Sequence, residues 1–221
     1  MNSKVEIMGV LNITDNSFYD GGKFNSLKAS IDHAKKLIND GADIIDIGAE
    51  SSKPGSNPVS SKDQIRKIEP LVEALRDISN IPISIDTRSS KVISHLLKYE
   101  INIVNDISSL EDKDLLDIIK SNRLSISLMH MLGTPKTMQI NPIYDNVVDD
   151  IYGYLKNRAE LCINHGIDKS NIIIDPGFGF GKTLDHNYEI LNNLEKFSNM
   201  GYRVLSGISR KSMIGDVLNK P

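Results

Sequence analysis

The chain has 221 residues, of which 39% are hydrophobic and 25% charged, and its formal net charge is −3. This composition fits a globular α/β domain with a sizeable core, and so small a net charge without a basic, aromatic cluster argues against a nucleic-acid surface. The start lacks a signal-peptide pattern, no apolar run reaches membrane-spanning length, and the single cysteine, Cys162, excludes disulfides within the chain. We expect a cytoplasmic protein with one domain over residues 1–221, in which Cys162 packs in the core.

Strand-like and helix-like segments alternate along the chain. Short runs rich in isoleucine or valine predict seven strands, at 5–13, 43–48, 82–86, 101–106, 124–130, 171–175 and 203–208. Apolar residues at three- and four-residue spacing predict helices at 26–40, 62–79, 91–99, 112–121, 146–166, 184–200 and 209–219. Such alternation is typical of repeated βα units and a parallel sheet.

Seven βα units in this order predict the α/β class and a (β/α)₈ TIM barrel of which seven units are present. A doubly wound open sheet has the same periodicity and is the alternative architecture. Polar residues follow nearly every predicted strand, which favours the barrel, because a doubly wound sheet concentrates them at one switch point. These residues are Asn12, Glu50, Ser51, Ser52, Asp86, Asn105, Asp106, His130, Asp175, Ser209 and Lys211.

The segment Asp175-Pro-Gly-Phe-Gly-Phe-Gly-Lys182 places a carboxylate and a glycine-rich turn after a predicted buried strand. Three alternating glycines permit positive φ or close backbone approach, and two phenylalanines here have little local core to join. A phosphate-binding P-loop needs glycine at Pro176, and a dinucleotide fingerprint needs glycine at Lys182, so both fail on spacing. We expect a ligand-facing loop; the alternative is a plain turn between strand and helix.

Carboxylate and amide side chains dominate the predicted strand ends. A carboxylate accepts two parallel N–H bonds, and asparagine both donates and accepts, so Asp86, Asn105 and Asp175 suit a flat heterocycle such as a pterin or purine. Taken singly, each of these residues could instead form a turn or cap a helix.

The segment Ser209-Arg210-Lys211-Ser212 is predicted to open the last helix, with Ser209 as its cap. Two cations in a first helical turn are unfavourable against the helix dipole unless an anion or ligand is present, which favours a functional role over solvent-exposed side chains. His130 is expected to be a hydrogen-bonded core residue, without a catalytic role.

Motifs along the chain resemble the dihydropteroate synthase family in the family's own order. They are Met8-Gly-Val-Leu-Asn-Ile-Thr14, Asp46-Ile-Gly-Ala-Glu-Ser-Ser-Lys-Pro-Gly55, Ser84-Ile-Asp-Thr87, Asn105-Asp106, Met129-His-Met131, the segment 175–182 and Ser209-Arg-Lys-Ser-Met-Ile-Gly215. The resemblance implies a (β/α)₈ barrel that joins a pterin methyl diphosphate to the amine of 4-aminobenzoate and releases diphosphate. It also implies Mg²⁺ as cofactor and a homodimer.

The resemblance implies a role for each matching residue. Lys211 and Asp86 are expected to be catalytic, and Ser52, Asp86, Asn105, Asp175 and Lys211 to bind the pterin diphosphate. The 4-aminobenzoate pocket would be lined by Pro54, Phe180 and Ser212, the diphosphate would be bound by Ser52 and Lys53, and Asn12 would ligate Mg²⁺.

The chain departs from the family pattern in three places. The first loop reads Thr14-Asp-Asn-Ser17, without the usual proline, and the second reads Ser52-Lys53 in place of threonine and arginine, which removes a bidentate grip on diphosphate. The sequence also stops before the family's eighth strand with its Arg-x-His diphosphate contacts. A seven-stranded remnant has two open sheet edges, so we expect residues 1–221 alone to be aggregation-prone and poorly active.

Two other functions fit part of the pattern. A pterin-dependent methyltransferase of the same superfamily would share the barrel and the Asp/Asn grip on the pterin. A degenerate, non-catalytic pterin-binding protein would be consistent with the loop changes. Release of diphosphate in the presence of 4-aminobenzoate separates the synthase from both.

Overall fold

The computed structural model describes residues 5–13, 23–52 and 55–219, and the chain forms two compact units. The first unit contains the described residues up to Ser51 together with Pro58–Asn105, and the second contains those of Ser52–Asn57 together with those from Asp106 onward. None of the helices in the described ranges combines the length and apolar character that crossing a bilayer requires. A single domain over 1–221 stays a prediction.

The first unit follows the predicted alternation of strands and helices. Its strands pair in parallel in chain order, without the reversal of order that a doubly wound sheet has. The elements are β1 (Met8–Asn12), α1 (Lys23–Asn39), β2 (Ile44–Gly48), α2 (Ser61–Ile78), β3 (Ile83–Asp86), α3 (Ser90–Leu96) and β4 (Ile103–Asp106).

The core of the first unit lies between its strands and α2. All five residues of β2 are buried, as expected for a parallel strand covered on both faces. The helix contributes Ile68, Leu71, Val72 and Leu75, all fully buried and spaced so that they share one face. Burial of each such side chain stabilises the fold by about 1.5–3 kcal/mol.

A polar cluster on the surface of the first unit centres on Glu69 of α2. Lys98 Nζ and His95 Nε2 each lie 2.8 Å from Glu69 Oε1, and Tyr99 Oη donates to the same oxygen at 3.0 Å. The hydrogen bond from Lys98, followed by those from His95 and Tyr99, lowers the pKa of Glu69 to about 2. The ionised carboxylate is therefore favoured in the folded state.

Replacing Glu69 with glutamine is expected to lower the free energy of unfolding at pH 7 by less than about 1 kcal/mol, because the cluster is solvent-screened. Since the folded-state pKa is depressed, this contribution is present above the ordinary pKa of about 4.5 and is lost as pH falls towards 2. Urea unfolding at several pH values measures it, with Asp77→Asn, exposed on the same helix, as control. An equal difference between wild type and Glu69→Gln at pH 7 and pH 2.5 would contradict the prediction.

The second unit also pairs its strands in parallel and in chain order. Its core includes Cys162, where burial raises the thiol pKa to about 12, so its predicted packing role is confirmed. The elements are α4 (Asp114–Asn122), β5 (Ser125–Met129), α5 (Val147–His165), β6 (Ile172–Asp175), α6 (Leu184–Asn192), α7 (Leu194–Ser198), β7 (Arg203–Val204) and α8 (Ser212–Leu218).

Two predicted elements of the second unit are wrong in extent. The strand at 203–208 shortens to β7, because its partner β6 ends at Asp175 and Pro176 has no N–H to continue the ladder. The helix at 184–200 divides at Asn193, whose side-chain amide donates to the Glu189 carbonyl at 2.8 Å. The side-chain amide shares this carbonyl with the Asn193 backbone N–H, which donates to it at 3.2 Å.

The predicted start of the last helix, at residue 209, is also wrong. It begins at Ser212, with Lys211 in the N-cap position and no side-chain cap bond, so Ser209 does not cap it. Arg210 takes a left-handed conformation with φ 55°, which turns the chain before the helix starts. Arg210 and Lys211 therefore precede the first helical turn, so the predicted placement of two cations inside that turn is wrong.

Candidate functional site

Three predicted site residues of the first unit lie at the carboxyl ends of neighbouring strands. The strand registers place Asn12 opposite Gly48, Gly48 opposite Asp86, and Asp86 opposite Asn105. A β-carbon at Gly48 would lie 3.1 Å from both Asn12 Oδ1 and Asp86 Oδ2. The missing side chain thus leaves room for a carboxylate and an amide oxygen beside Gly48 at the carboxyl ends of the strands, where the sequence predicts a ligand site.

Sequence analysis missed Asp46, which positions Asn105. The side-chain amide of Asn105 donates to Asp46 Oδ2 at 3.3 Å, so its own carbonyl oxygen remains an acceptor. Burial raises the pKa of Asp46, opposed by Ser84 and Asn105, and within the described residues Asp46 Oδ1 completes no hydrogen bond. A carboxylate inside the apolar run of β2 was the available signal.

Two residues of the predicted polar ring have local structural roles. Glu50 pairs with Arg88 and accepts from Gln64 Nε2 at 3.1 Å, which ties the loop after β2 to α2 within the first unit. In the second unit, buried Asp106 accepts from the Ser108 and Leu110 backbone N–H groups at 2.8 and 2.7 Å. Asp106 therefore stabilises a turn, which is the alternative role expected for polar residues at strand ends.

The glycine loop, residues 176–181 of the second unit, has the backbone conformation that its sequence predicts. Gly177, Gly179 and Gly181 have φ values of 72°, 79° and 65°. A β-carbon at Gly177 would lie 2.0 Å from the His130 carbonyl oxygen, so only glycine fits there. The loop is further held by Gln139 Nε2, which donates to the Gly179 carbonyl at 2.7 Å.

The two phenylalanines of the glycine loop differ in burial. Phe178 is only 1% exposed, so the prediction that both rings lack a core is wrong for this residue. Phe180 is half-buried, and the Lys211 ammonium lies 4.2 Å from its ring centroid, within cation–π range. The Lys211 chain also passes Gly179, where an added β-carbon would lie 3.3 Å from Lys211 Cδ. Glycine here leaves room for the lysine.

Asp175 is the buried carboxyl group at the base of this loop. It is 7% exposed, and its Oδ1 accepts from the Gly177 N–H at 2.7 Å. Burial raises the pKa of Asp175 to about 6, against the opposing effects of the Gly177 hydrogen bond, Lys182 and Lys211. Burial also lowers the pKa of Lys211, and Asp175 opposes that change. One carboxylate and two lysines therefore form a mutually dependent charged group.

Sequence analysis also missed the pairing of Lys182 with His130. Lys182 Nζ lies 3.1 Å from His130 Nδ1, and both residues are buried. The expectation of His130 as a hydrogen-bonded core residue agrees with this contact. A lysine after a glycine loop gives no sign of burial in the sequence, so the pair had no readable signal.

The remaining predicted residues are distributed as follows. In the second unit, Ser52 is half-buried, whereas Ser209 and Ser212 are exposed. Gly55, which follows Ser52 by three residues, donates its backbone N–H to the Pro135 carbonyl at 2.9 Å. Lys53, Pro54 and the first loop at 14–22 lie outside the described residues.

Comparison with known proteins adds the decisive observation. A family model described as pterin binding enzyme matches residues 8–221. A dihydropteroate synthase of Haemophilus influenzae is 44% identical over 216 residues, which cover 98% of this chain and 78% of that protein. The chain belongs to the dihydropteroate synthase family of pterin-binding enzymes.

Solved structures of the dihydropteroate synthase family share the fold. The Yersinia pestis enzyme, solved with a sulfonamide drug, has a TM-score of 0.90 and 40% identity, covering 98% of this chain and 78% of that one. The Xanthomonas albilineans enzyme, solved with 4-aminobenzoic acid, has a TM-score of 0.90 and 35% identity, covering 98% and 77%. The predicted fold class, a (β/α)₈ barrel with seven βα units present, is confirmed.

Proposed function

We propose that this chain acts as a dihydropteroate synthase, condensing 6-hydroxymethyl-7,8-dihydropterin diphosphate with 4-aminobenzoate to 7,8-dihydropteroate and diphosphate. Family membership over residues 8–221 is the observation that carries the proposal. The buried carboxylate of Asp175, with two lysines beside the glycine loop, supplies groups suited to the reaction.

The reaction exchanges one bond for another at the pterin methylene. Its C–O bond breaks and the electron pair leaves with diphosphate, while the amine nitrogen forms the new C–N bond and loses a proton. The electron-rich pterin stabilises positive charge at the methylene, so no protein nucleophile is needed. A carboxylate that accepts ring N–H groups increases that stabilisation, and an ammonium group can donate to a pterin acceptor.

Roles follow for the residues of each unit. Asp175 and Lys211 would bind the pterin, with Phe180 and Ser212 towards 4-aminobenzoate. In the first unit, Asp86 and Asn105 offer further acceptor atoms for amino and lactam edges. The diphosphate roles of Ser52 and Lys53, the pocket role of Pro54 and the catalytic roles of Lys211 and Asp86 stay predictions.

The residues present are compatible with Mg²⁺ as cofactor. Magnesium prefers oxygen ligands and is commonly held by few protein groups together with substrate phosphates. Asn12 is exposed at the end of β1 and presents Oδ1 beside Gly48, so it can supply one such ligand. When bound, Mg²⁺ would neutralise charge on the leaving diphosphate. A cytoplasmic location and a homodimer are further proposals that rest on the family resemblance.

The proposed function is tested by incubating the chain with the pterin diphosphate and carboxyl-¹⁴C-labelled 4-aminobenzoate. We expect labelled dihydropteroate and diphosphate in equal amounts, formed only when both substrates are present, and single-turnover conditions allow detection at low rates. Pterin binding without either product would favour the non-catalytic alternative. Absence of diphosphate release, with methyl transfer from a methylated pterin, would favour the methyltransferase.

A further inference from the structure

Lys182 has an unusual environment for a lysine. Its side chain is 4% exposed, and Nζ lies 3.1 Å from His130 Nδ1, 3.2 Å from the His130 carbonyl oxygen and 2.9 Å from the Phe180 carbonyl oxygen. An ammonium group has three donors and no acceptor, so these three atoms satisfy it completely. The lysine therefore connects the end of the glycine loop to the residue that follows β5.

The proton in this contact belongs to Lys182. Burial, together with the charge of Lys182, lowers the pKa of His130 to about 3, so the imidazole is neutral. Its Nδ1 accepts from the ammonium, which leaves the imidazole proton on Nε2. The ring packs edge-on against Tyr154 at 5.0 Å and near Tyr144 at 5.9 Å, and the pKa of Tyr144 is raised by burial to about 12. Both His130 and Tyr144 are therefore uncharged at neutral pH.

The contact also reaches Asp175 through the backbone. The backbone N–H of His130 donates to the backbone carbonyl of Asp175 at 3.0 Å. The backbone N–H of Gly177 donates to the side-chain carboxylate of Asp175 at 2.7 Å. Lys182 thus holds both sides of the turn that carries Asp175. Burial lowers the pKa of Lys182 to about 7, and Asp175 opposes this effect while Lys211 adds to it.

We propose that Lys182 is a positioning residue whose ammonium group fixes the glycine loop to His130 and keeps the Asp175 carboxyl group ionised for pterin recognition. The attachment of the glycine loop to His130 rests on the three contacts of the ammonium group. The link to pterin recognition rests on the proposed function. A purely packing residue at this position needs no charge, and burying an ammonium group carries a desolvation cost that an apolar side chain avoids.

The test follows the titration of Asp175 itself, without any ligand. The protein is labelled with [¹³Cγ]aspartate, the Asp175 signal is assigned by its loss in Asp175→Asn, and its midpoint is measured in wild type and Lys182→Met. We expect Asp175 to titrate with a midpoint near pH 6 in wild type. In Lys182→Met the midpoint should be higher by about one pH unit, because the positive charge that favours the carboxylate is lost. Lys136→Met, which removes an exposed lysine of the same unit, is expected to leave the midpoint unchanged.

Equal Asp175 midpoints in wild type and Lys182→Met would overturn the proposal. If Lys182→Met does not fold, the wild type and Lys182→Arg decide, since the arginine keeps the charge and should keep the midpoint near 6. A wild-type midpoint above 7 would also overturn the proposal, because the lysine would then not keep Asp175 ionised at neutral pH.

A binding measurement connects Lys182 to pterin recognition. Lys182→Met should bind 6-hydroxymethyl-7,8-dihydropterin about threefold more weakly than wild type at pH 6.5 and recover most of that loss at pH 8.5, where Asp175 is ionised in both. A loss that is the same at both pH values would indicate a merely structural role. No pterin binding by the wild type would refute the proposed function and leave the Asp175 titration as the independent result.

Discussion

Replacing Asp175 with asparagine is expected to weaken pterin binding by ~30- to 150-fold and to leave 4-aminobenzoate binding nearly unchanged. The amide can still accept from the Gly177 N–H through its oxygen, but it presents an NH₂ group where the carboxylate offered a second acceptor. A donor facing pterin N–H groups in a buried site costs about 2–3 kcal/mol, which corresponds to that loss of affinity.

Calorimetric titration of each ligand measures the effect of Asp175→Asn, with Asp185→Asn, an exposed carboxylate on α6, as matched control. Because burial raises the pKa of Asp175 to about 6, wild-type affinity for the pterin should fall as pH decreases through 6, when the acceptor becomes protonated. The variant should lose this pH dependence. Unchanged pterin affinity in the variant would refute the role of Asp175.

Replacing Lys211 with alanine is expected to lower kcat on the order of 100-fold, as for loss of one donor that stabilises developing charge. Lys211→Arg should not restore the rate. The lysine chain passes 3.3 Å from a β-carbon position at Gly179 and ends 4.2 Å from the centre of the Phe180 ring, which leaves a narrow path suited to a compact ammonium group. A planar guanidinium has a different shape and hydration.

Steady-state rates of the two Lys211 variants test this, with Lys113→Ala, an exposed lysine of the same unit, as control. Circular dichroism and melting temperature should stay close to wild type, because Lys211 is half-buried and makes no cap bond to α8. Full activity of Lys211→Ala would refute a catalytic role for this side chain.

The strands were predictable because a parallel sheet buries both faces, so its strands are continuous isoleucine and valine runs that end at polar residues. The β2 and β6 boundaries differ from prediction by one residue at the start and none at the end. The extent of β7 was not predictable, since apolar residues at 205–208 indicate burial but do not show where the partner strand stops. Pairing is a property of two segments, and a single segment's pattern does not contain it.

The site was predictable to the extent that its chemistry is visible in residue type. Asp86 and Asp175 are the last residues of their strands, and Asn105 is the next-to-last residue of its strand. Their positions in the sequence indicate this arrangement. The supporting interactions were not visible, because Lys182 and Asp46 act through burial and through contacts with residues 52 and 59 positions away. Charge is read from a sequence, but desolvation is set by the packed fold.

The unequal burial of Phe178 and Phe180 restricts how this loop can change length. One ring is enclosed in the core, and the other lies beside Lys211, two positions later. An insertion or deletion of one residue between Asp175 and Phe180 would displace the enclosed ring and move the glycines away from the three positions with positive φ. The loop can therefore tolerate a new side chain at residue 180 far more readily than a new residue count, so variants that alter ligand preference here should be substitutions and not indels.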